Sequence, residues 1–405
     1  MRFETSHQSP VTSYNIMSIP FKYAVENLRM RRMTAGATVA GVALVVFVFA
    51  AVLMMAHGVD KTLSQTGSKE NVIITRKGSN NELSSIVMGE TQGIIRSLPY
   101  IRQSTDATQI VSTEPVVVIN LHKPGGGMSN VTVRGVSPTV TDLRPQLKIV
   151  SGRMFDPSLR ELIVGEPLTK RFTDGHIGDK VRFAGDDWEV VGVFECGGGG
   201  YESEIWGNSV QLLESFNRGN AVSSVTLKLT RAGDYAAFKA AFDAETRLKE
   251  FEVDTEEAFF AKQSEGLAGF IKILGIFITV IFSIGATVGA MITMYGAVAN
   301  RTIEIGTMRS LGFSRRSILV VFLAESVLIS LAGSIIGVLL ASVLSFYQIS
   351  TLNFSSFAEI AFSFALSPKI VVSSLFFGVA MGFLGGFLPA VKAARMNIVN
   401  ALRAA

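Results

Sequence analysis

The residues in this sequence that are most suited to chemistry form a short charged segment between two long apolar runs. It reads NRTIEIGTMRSLGFSRRSI and extends from Asn300 to Ile318. Elsewhere the four histidines are scattered: His7, His57, His122 and His176. The chain contains no H-E-x-x-H pair, no G-x-S-x-G nucleophile turn and no G-x-x-x-x-G-K-[ST] phosphate loop. We therefore expect no catalytic residues, no metal site and no ATP hydrolysis by this chain alone.

Wound as an α-helix, the charged segment has two different faces. At about 100° per residue, its apolar side chains share one arc: Ile305, Met308 and Leu311. Small residues lie opposite them: Gly306, Thr307 and Ser310. The apolar edge could bind a partner protein, or it could lie on the membrane with the arginines of the segment on lipid phosphates. The pattern alone leaves both interpretations open.

The elements around this segment are those of a membrane protein. Of the 405 residues, 48% are hydrophobic and only 17% are charged. Uncharged runs cover residues 33–59, 273–300, 326–358 and 370–391, and each is long enough for the roughly 20 residues that cross a bilayer. The first run is too long for the core of a secretory signal, which spans about 7 to 15 residues, so we interpret it as an anchor. These runs predict four transmembrane helices.

About two hundred residues between the first two spans alternate strand-like and helical patterns, which predicts a large α+β domain. We expect two lobes, divided at the turn-rich residues 138–157. Lys and Arg are retained on the cytoplasmic side of membranes, and they flank the spans at Lys22, Arg29, Arg31, Arg32, Arg301, Arg309, Arg315, Arg316, Lys392, Arg395 and Arg403. Both termini and the charged segment are therefore predicted to be cytoplasmic, with the α+β domain outside. These flanks largely explain the net charge of +4, so we infer no nucleic-acid binding.

Three smaller features bear on packing. Glycines four residues apart predict close helix approach in lipid, and they are Gly285, Gly289, Gly333, Gly337, Gly378, Gly382 and Gly386. Glu325 is an ionisable group within a span, where charge is costly; we favour a structural pairing with a basic residue over a proton relay. The glycine runs 125–127 and 197–200, the second directly after the single cysteine Cys196, are interpreted as a hairpin tip and a loose loop.

The order of residues in the charged segment resembles a known signature. Its elements are Arg301, Glu304, Ile305, Gly306, Arg309 and Gly312 in the order R-x-x-E-I-G-x-x-R-x-x-G. Together with FLAES, which contains Glu325, and with GGFLPAVKAARMNIVNALR, where Pro389 closes the last span, it is similar to ABC-transporter permeases of the MacB/FtsX-like family. The layout of one span, a large outer domain and three further spans also resembles this family.

The resemblance implies a permease subunit, without its own ATPase domain, in the bacterial inner membrane. The charged segment would be a coupling helix that is seated in a separate ABC ATPase subunit, with Ile305, Met308 and Leu311 as its buried edge and Glu304 and Arg309 as its polar rim. ATP and Mg²⁺ would be bound by that partner, and no cofactor by this chain. The second span would continue outward as a stalk and transmit movement to the outer domain.

Further expected partners are a second permease copy or a paralogue, and a periplasmic adaptor with an outer-membrane channel. The main alternative is an FtsX-like regulator of a cell-wall hydrolase, and a second alternative is an ATP-independent sensor. The predicted division of the chain is as follows: cytoplasmic segment 1–32, first span 33–56, outer α+β domain 57–263, stalk and second span 264–299, coupling loop 300–316, third span 317–346, short outer loop 347–368, fourth span 369–391 and cytoplasmic tail 392–405.

Overall fold

The computed structural model of the protein describes residues 32–79, 81–353 and 357–398. The predicted cytoplasmic segment before residue 32, with Lys22, Arg29 and Arg31, and the end of the predicted tail, with Arg403, lie outside them. The elements follow in this order: α1 (Arg32–Ser64), β1 (Asn71–Arg76), α2 (Gly89–Arg96), β2 (Val111–Glu114), β3 (Val116–His122), β4 (Met128–Val136), α3 (Val140–Leu143), β5 (Leu147–Gly152), β6 (Glu161–Gly165), α4 (Glu166–Arg171), β7 (Lys180–Phe183), β8 (Asp186–Cys196), β9 (Glu204–Asn208), α5 (Ser209–Ser215), β10 (Ser224–Lys228), α6 (Tyr235–Ala244), β11 (Phe251–Thr255), α7 (Glu256–Asn300), α8 (Thr302–Ser310), α9 (Arg315–Val343), β12 (Gln348–Leu352), β13 (Glu359–Ser363) and α10 (Pro368–Arg395).

Contacts divide these residues into two compact units. The membrane unit comprises residues 32–52, 275–344 and 367–398, and the outer unit comprises residues 53–274 and 345–366. Helices α1 and α7 contribute residues to both units.

The four predicted spans are present as helices long and apolar enough to cross a membrane, namely Met33–Ser64, Glu256–Asn300, Arg315–Phe346 and Pro368–Arg395. A helix suits this setting because it satisfies every backbone polar group within its own segment. Helix α7 begins at Glu256, where the Thr255 hydroxyl accepts a hydrogen bond from the Ala258 amide at 3.2 Å. The end of the last span differs from the prediction. Pro389 lies inside α10 rather than closing it, because a helix among packed neighbours tolerates one missing amide donor.

The membrane unit has two apolar clusters of buried residues. One joins α7, α8, α9 and α10 through Met294, Val298, Ile305, Ile318, Phe322, Ala390 and Ala393. The other joins α1, α9 and α10 through Val42, Val45, Val46, Val338 and Met381.

The outer unit contains two larger sheets. The four-stranded sheet has the order β11-β1-β10-β2 and is antiparallel throughout. The seven-stranded sheet has the order β3-β4-β9-β6-β8-β5, with β7 paired to β8, and it is mixed because β4/β9 and β6/β8 run parallel. This architecture confirms the α+β class that the sequence predicts.

The proposed division at residues 138–157 is wrong. Strand β5 lies in that stretch and belongs to the same sheet as β3 and β4 before it and β6 after it. The chain instead leaves the four-stranded sheet after Glu114 and returns to it at Ser224. A turn-rich stretch marks a change of direction, but it does not show which sheet the next strand joins.

The glycine runs behave differently from each other. Gly125, Gly126 and Gly127 all have positive φ between the paired strands β3 and β4, which confirms the hairpin tip. Residues 197–200 are not a loose loop, because one oxygen of Glu202 accepts from the amides of Cys196 and Gly198, both at 2.7 Å. Here glycine permits the positive φ of 68° and 74° at Gly197 and Gly198.

The predicted short outer loop 347–368 contains a further element. Strands β12 and β13 pair antiparallel as a hairpin within it. The carboxylate of Glu359 on β13 lies against Lys123, Ser129 and Arg171, so the hairpin is fastened to the outer unit, to which it belongs.

Candidate coupling site

Helix α8 ends in a well-defined turn that leads into α9. Gly312 has a φ of 95°, and its amide donates to the Arg309 carbonyl while the Phe313 amide donates to the Met308 carbonyl, both at 3.2 Å. This pair of bonds is a Schellman motif, which requires a left-handed residue that glycine supplies at little cost. Ser314 then caps α9 by accepting from the Ser317 amide at 3.1 Å. The predicted site residue Gly312 therefore shapes the connection between the two helices.

The structure divides the predicted apolar edge of α8. Ile305 is fully buried in the apolar cluster that joins α7, α8, α9 and α10, and the partly buried Met308 packs against that cluster. Leu311, in contrast, is 67% exposed. Gly306, predicted to face away, is buried as well. The side chain of Ile305 therefore packs in the core of the chain itself and does not form part of an exposed edge.

A different face of α8 is open. Its exposed residues are Ile303, Glu304, Thr307 and Ser310, and Leu311, directly after the last residue of α8, extends the same face. At about 100° per residue they fall within an arc of about 120°, so they form one continuous surface, which we call the open face. It combines two aliphatic side chains with hydroxyls and one carboxylate.

The buried Glu325 is paired with Arg301. The guanidinium Nη1 lies 3.0 Å from Glu325 Oε2, with the two side chains 8% and 3% exposed. Arg301 Nε also lies 4.0 Å from Glu304 Oε2. Arg301 is therefore inside the chain rather than on a docking surface, and Arg309 is half-buried and donates to the Phe313 carbonyl at 3.3 Å.

The predicted packing glycines fall into two groups. A Cβ at Gly333 would lie 2.8 Å from the Val39 carbonyl oxygen, and one at Gly337 would lie 2.6 Å from that of Ala43. The same test at Gly378, Gly382 and Gly386 meets Ser334, Ser330 and Ser326 of α9. These five glycines bring α1, α9 and α10 together, as small residues do in lipid. Gly285 and Gly289 on α7 are exposed, and their Cβ positions meet no atom of the described chain within 4 Å.

Sequence reasoning missed a buried network of charges in the outer unit. Arg134 on β4 donates to Glu82, Glu114 and Glu204 at 2.7 to 2.9 Å, and its side chain is 1% exposed. Burial acts to lower the pKa of Arg134, but Glu204 and Glu82 outweigh it and raise that pKa well above its usual range. Burial also raises the pKa of Glu204, which Arg134 only partly offsets.

The network continues to the first residue of α7. Arg144 donates to Glu114 at 2.8 Å and to Glu256 at 3.2 Å, and the Tyr201 hydroxyl donates to Glu256 at 2.6 Å. Burial would raise the pKa of Glu114, but Arg144 and Arg134 hold it below its usual value. The network thus joins a strand of each large sheet to the start of α7. Its members are too far apart in sequence for any local pattern to reveal them.

No group of three or more His, Cys, Asp or Glu side chains is arranged to hold a metal ion within residues 32–79, 81–353 and 357–398. The thiol of Cys196 is fully buried, and burial raises its pKa to about 12. It is therefore a neutral core side chain at ordinary pH.

This architecture is that of a multi-pass membrane protein with a large outer domain between its first two spans, and comparison with known families places it further. A model of the MacB-like periplasmic core domain matches residues 35–245, which is more than half of the chain. A model of the FtsX-like permease C-terminal region matches residues 276–398. The chain therefore belongs to the MacB/FtsX-like family and is an ABC transporter permease of that type.

Curated relatives agree with this assignment. The chain is 27% identical over 292 residues to YknZ of Bacillus subtilis, described as an uncharacterised ABC transporter permease, with 68% of this chain and 70% of that protein covered. It is 24% identical over 408 residues to MacB of Neisseria gonorrhoeae, described as a macrolide export ATP-binding/permease protein. That match covers 94% of this chain, and the chain spans 60% of the length of that relative.

Solved structures similar to part of the chain include two outer domains. The extracellular domain of YknZ from Gram-positive bacteria is 18% identical with a TM-score of 0.35, covering 46% of this chain and 100% of that one. The periplasmic region of MacB from Actinobacillus actinomycetemcomitans is 14% identical with a TM-score of 0.36, covering 48% of this chain and 92% of that one.

Proposed function

We propose that this permease works with a separate ABC ATPase subunit, whose ATP hydrolysis drives conformational change in the outer unit and thereby exports or extracts a substrate on the outer side of the inner membrane. Two permeases, either two copies or this chain and a paralogue, would act with two ATPases. ATP and Mg²⁺ would be bound by the ATPases, and this chain would be non-catalytic. A periplasmic adaptor and an outer-membrane channel would complete an export pathway.

The observation that carries the proposal is the open face of α8. A helix lying on the membrane surface directs its apolar residues into lipid, but Ile305 and Met308 pack against the chain itself. The surface that remains includes the carboxylate of Glu304, which anionic headgroups would repel. The open face has an aliphatic side chain near each end, Ile303 and Leu311, with the hydroxyl of Thr307 between them. Such a mixture of apolar and polar contacts suits a groove on a protein better than a lipid surface.

Two features support transmission to the outer unit. Helix α7 has 45 residues and at 1.5 Å per residue measures about 68 Å, against a hydrocarbon core of about 30 Å. Its first residue, Glu256, is buried in the charge network that joins strands of both large sheets. Displacement of α7 along its axis would therefore pull on strands of both sheets at once.

In the proposed orientation, both termini and α8 would lie in the cytoplasm.

Site-specific crosslinking tests the docking surface. A photoreactive amino acid is placed at Thr307 or Leu311 on the open face, and at Ile305 as a matched position inside the chain. In cells expressing the full-length tagged protein, we expect the first two to crosslink to a protein that binds ATP and the third to crosslink only within the chain. Crosslinks from Thr307 and Leu311 to phospholipid alone would refute the proposed partner.

The nature of the outer partner separates export from regulation. Capture of an adaptor or channel through the outer unit supports export, whereas capture of a cell-wall hydrolase supports the FtsX-like alternative. An ATPase activity that is unchanged by this protein after mixing would favour the ATP-independent sensor.

A further inference from the structure

The ion pair between Arg301 and Glu325 joins the connection between α7 and α8 to helix α9 within the membrane unit. Arg301 is the single residue between α7 and α8, and Glu325 lies in the third turn of α9. Besides the 3.0 Å contact, the Arg301 guanidinium carbon lies 6.0 Å from the centre of the Phe322 ring. Phe322 is three residues before Glu325, on the same side of α9. Arg301 is therefore seated against α9 by a charge contact and an aromatic contact.

Stability alone is a weak explanation for this pair. Removing two charges from water costs several kcal/mol for each ion, and apolar residues of similar volume often replace such pairs without loss. In some proteins, however, a buried polar or ionic contact specifies the register of the elements that carry it. The apolar contacts of Ile305 in the same cluster are less directional than an ion pair, because the hydrophobic effect depends on the area buried and not on orientation. The 3.0 Å contact therefore provides a directional link between the residue before α8 and helix α9.

Arg301 also lies near a carboxylate of the open face of α8, that of Glu304. Its Nε is 4.0 Å from Glu304 Oε2, and the Glu304 side chain is 55% exposed. One guanidinium thus has an exposed carboxylate on α8 and a buried carboxylate on α9 as neighbours.

We propose that Arg301 is a positioning residue that fastens α8 to α9 through Glu325, so that movement imposed on α8 is transmitted to the third span. The inference rests on the proposed function for the source of that movement, but the fastening is a property of this chain alone. It assigns Arg301 a role different from the docking contact that the sequence signature suggests. Loss of the pair would leave ATPase binding at the open face largely intact while weakening transmission.

Charge reversal tests the fastening in the permease without any partner. The variants are Arg301→Glu, Glu325→Arg and the double reversal, with Arg316→Glu as a control at an exposed arginine in the first turn of α9. Amide hydrogen exchange of residues 302–310 is measured in the full chain in lipid nanodiscs. Each single reversal should accelerate exchange by about 100-fold or more, the factor expected when a buried charge loses its partner. The double reversal should restore most of that protection, and Arg316→Glu should exchange as the wild type does.

A second measurement addresses transmission. With the ATPase that crosslinks to Thr307, each single reversal should still bind it but should lose most of the change in ATP turnover that the wild-type permease causes, and the double reversal should recover it. Wild-type exchange in both single reversals would overturn the fastening. Normal turnover in the singles, with accelerated exchange, would overturn the transmission role. If no ATPase binds the wild type, the proposed function fails while the exchange data still decide the fastening.

Discussion

Substitution of Arg134 by Met provides a sharp test of the buried charge network. Arg134 is 1% exposed and neutralises carboxylates from three segments. Met keeps much of the side-chain volume but leaves Glu82 and Glu204 buried without their shared cation, while Glu114 retains Arg144. Breaking a buried pair in this way costs about 3–5 kcal/mol. We expect the free energy of unfolding of the outer unit to fall by that amount.

Arg182→Met is the matched control. Arg182 contacts Asp187 at 3.8 Å, but the two side chains are 78% and 60% exposed. Exposed pairs of this kind contribute about 0–1 kcal/mol. The two substitutions remove the same group from a buried and an exposed setting, so the difference between them measures the effect of burial.

Tryptophan fluorescence during urea unfolding provides the assay. The protein has two tryptophans, Trp188 and Trp206, and both are fully buried in the outer unit. The signal therefore reports on that unit even in the full chain. With slopes of about 1–3 kcal/mol per M urea, the loss in Arg134→Met should lower the midpoint by about 1 M or more. A midpoint equal to that of Arg182→Met would refute the reasoning.

Acid should partly rescue the Arg134 variant. Burial already raises the pKa of Glu204 in the wild type, and without Arg134 its folded pKa should rise further. A carboxyl group whose folded pKa exceeds its unfolded value costs stability as the pH rises above the unfolded value. The deficit of the variant should therefore shrink as the pH falls towards the ordinary value of 4.5. A deficit that grows in acid would contradict this cause.

Three further predictions concern the membrane unit and the thiol. Ile305→Ala and Leu311→Ala each remove three carbon atoms, and Ile305→Ala should lower the local stability of α8, measured by amide exchange, by about 2–5 kcal/mol. Leu311→Ala should leave amide exchange unchanged but weaken ATPase binding. Equal effects of the two variants on exchange would contradict the assignment of Ile305 to the buried face and Leu311 to the open face. Gly337→Leu should lower the thermal unfolding temperature because its Cβ would lie 2.6 Å from the Ala43 carbonyl oxygen. Gly285→Leu should leave that temperature unchanged, since its Cβ would have no neighbour within 4 Å among the described residues. Equal unfolding temperatures for the two variants would refute close packing at Gly337. Burial raises the pKa of Cys196 to about 12, so its thiol should resist N-ethylmaleimide at pH 8 until the protein is denatured. A cysteine introduced by Leu311→Cys should react at once. Rapid labelling of Cys196 in the native protein would show that the core around Cys196 opens.

Local patterns in the sequence predicted the elements well and their partners poorly. The four spans and strands such as β1 and β10 follow from runs of apolar and β-branched residues. The sequence prediction contains no hairpin β12–β13, since it assigns residues 347–368 only as a short outer loop between spans. The prediction that the charged segment contains a helix is confirmed, but the helical period places Ile305 and Leu311 on one surface, whereas Ile305 is buried and Leu311 is exposed. A helical period shows which residues share a face, not which part of that face the chain itself covers.

The sequence by itself determined that this chain crosses a membrane, carries an α+β domain between its first two spans and belongs to the MacB/FtsX-type permeases. Each of these follows from the composition of contiguous segments or from residues in a fixed order, and lipid allows an uncharged run of more than about 20 residues few structures besides a helix. Only the tertiary structure decided that Ile305 faces inward, that Glu325 pairs with Arg301 and that Arg134 gathers three carboxylates. These contacts join residues that are distant in the chain, and they depend on how completed helices and strands pack, which no local pattern encodes.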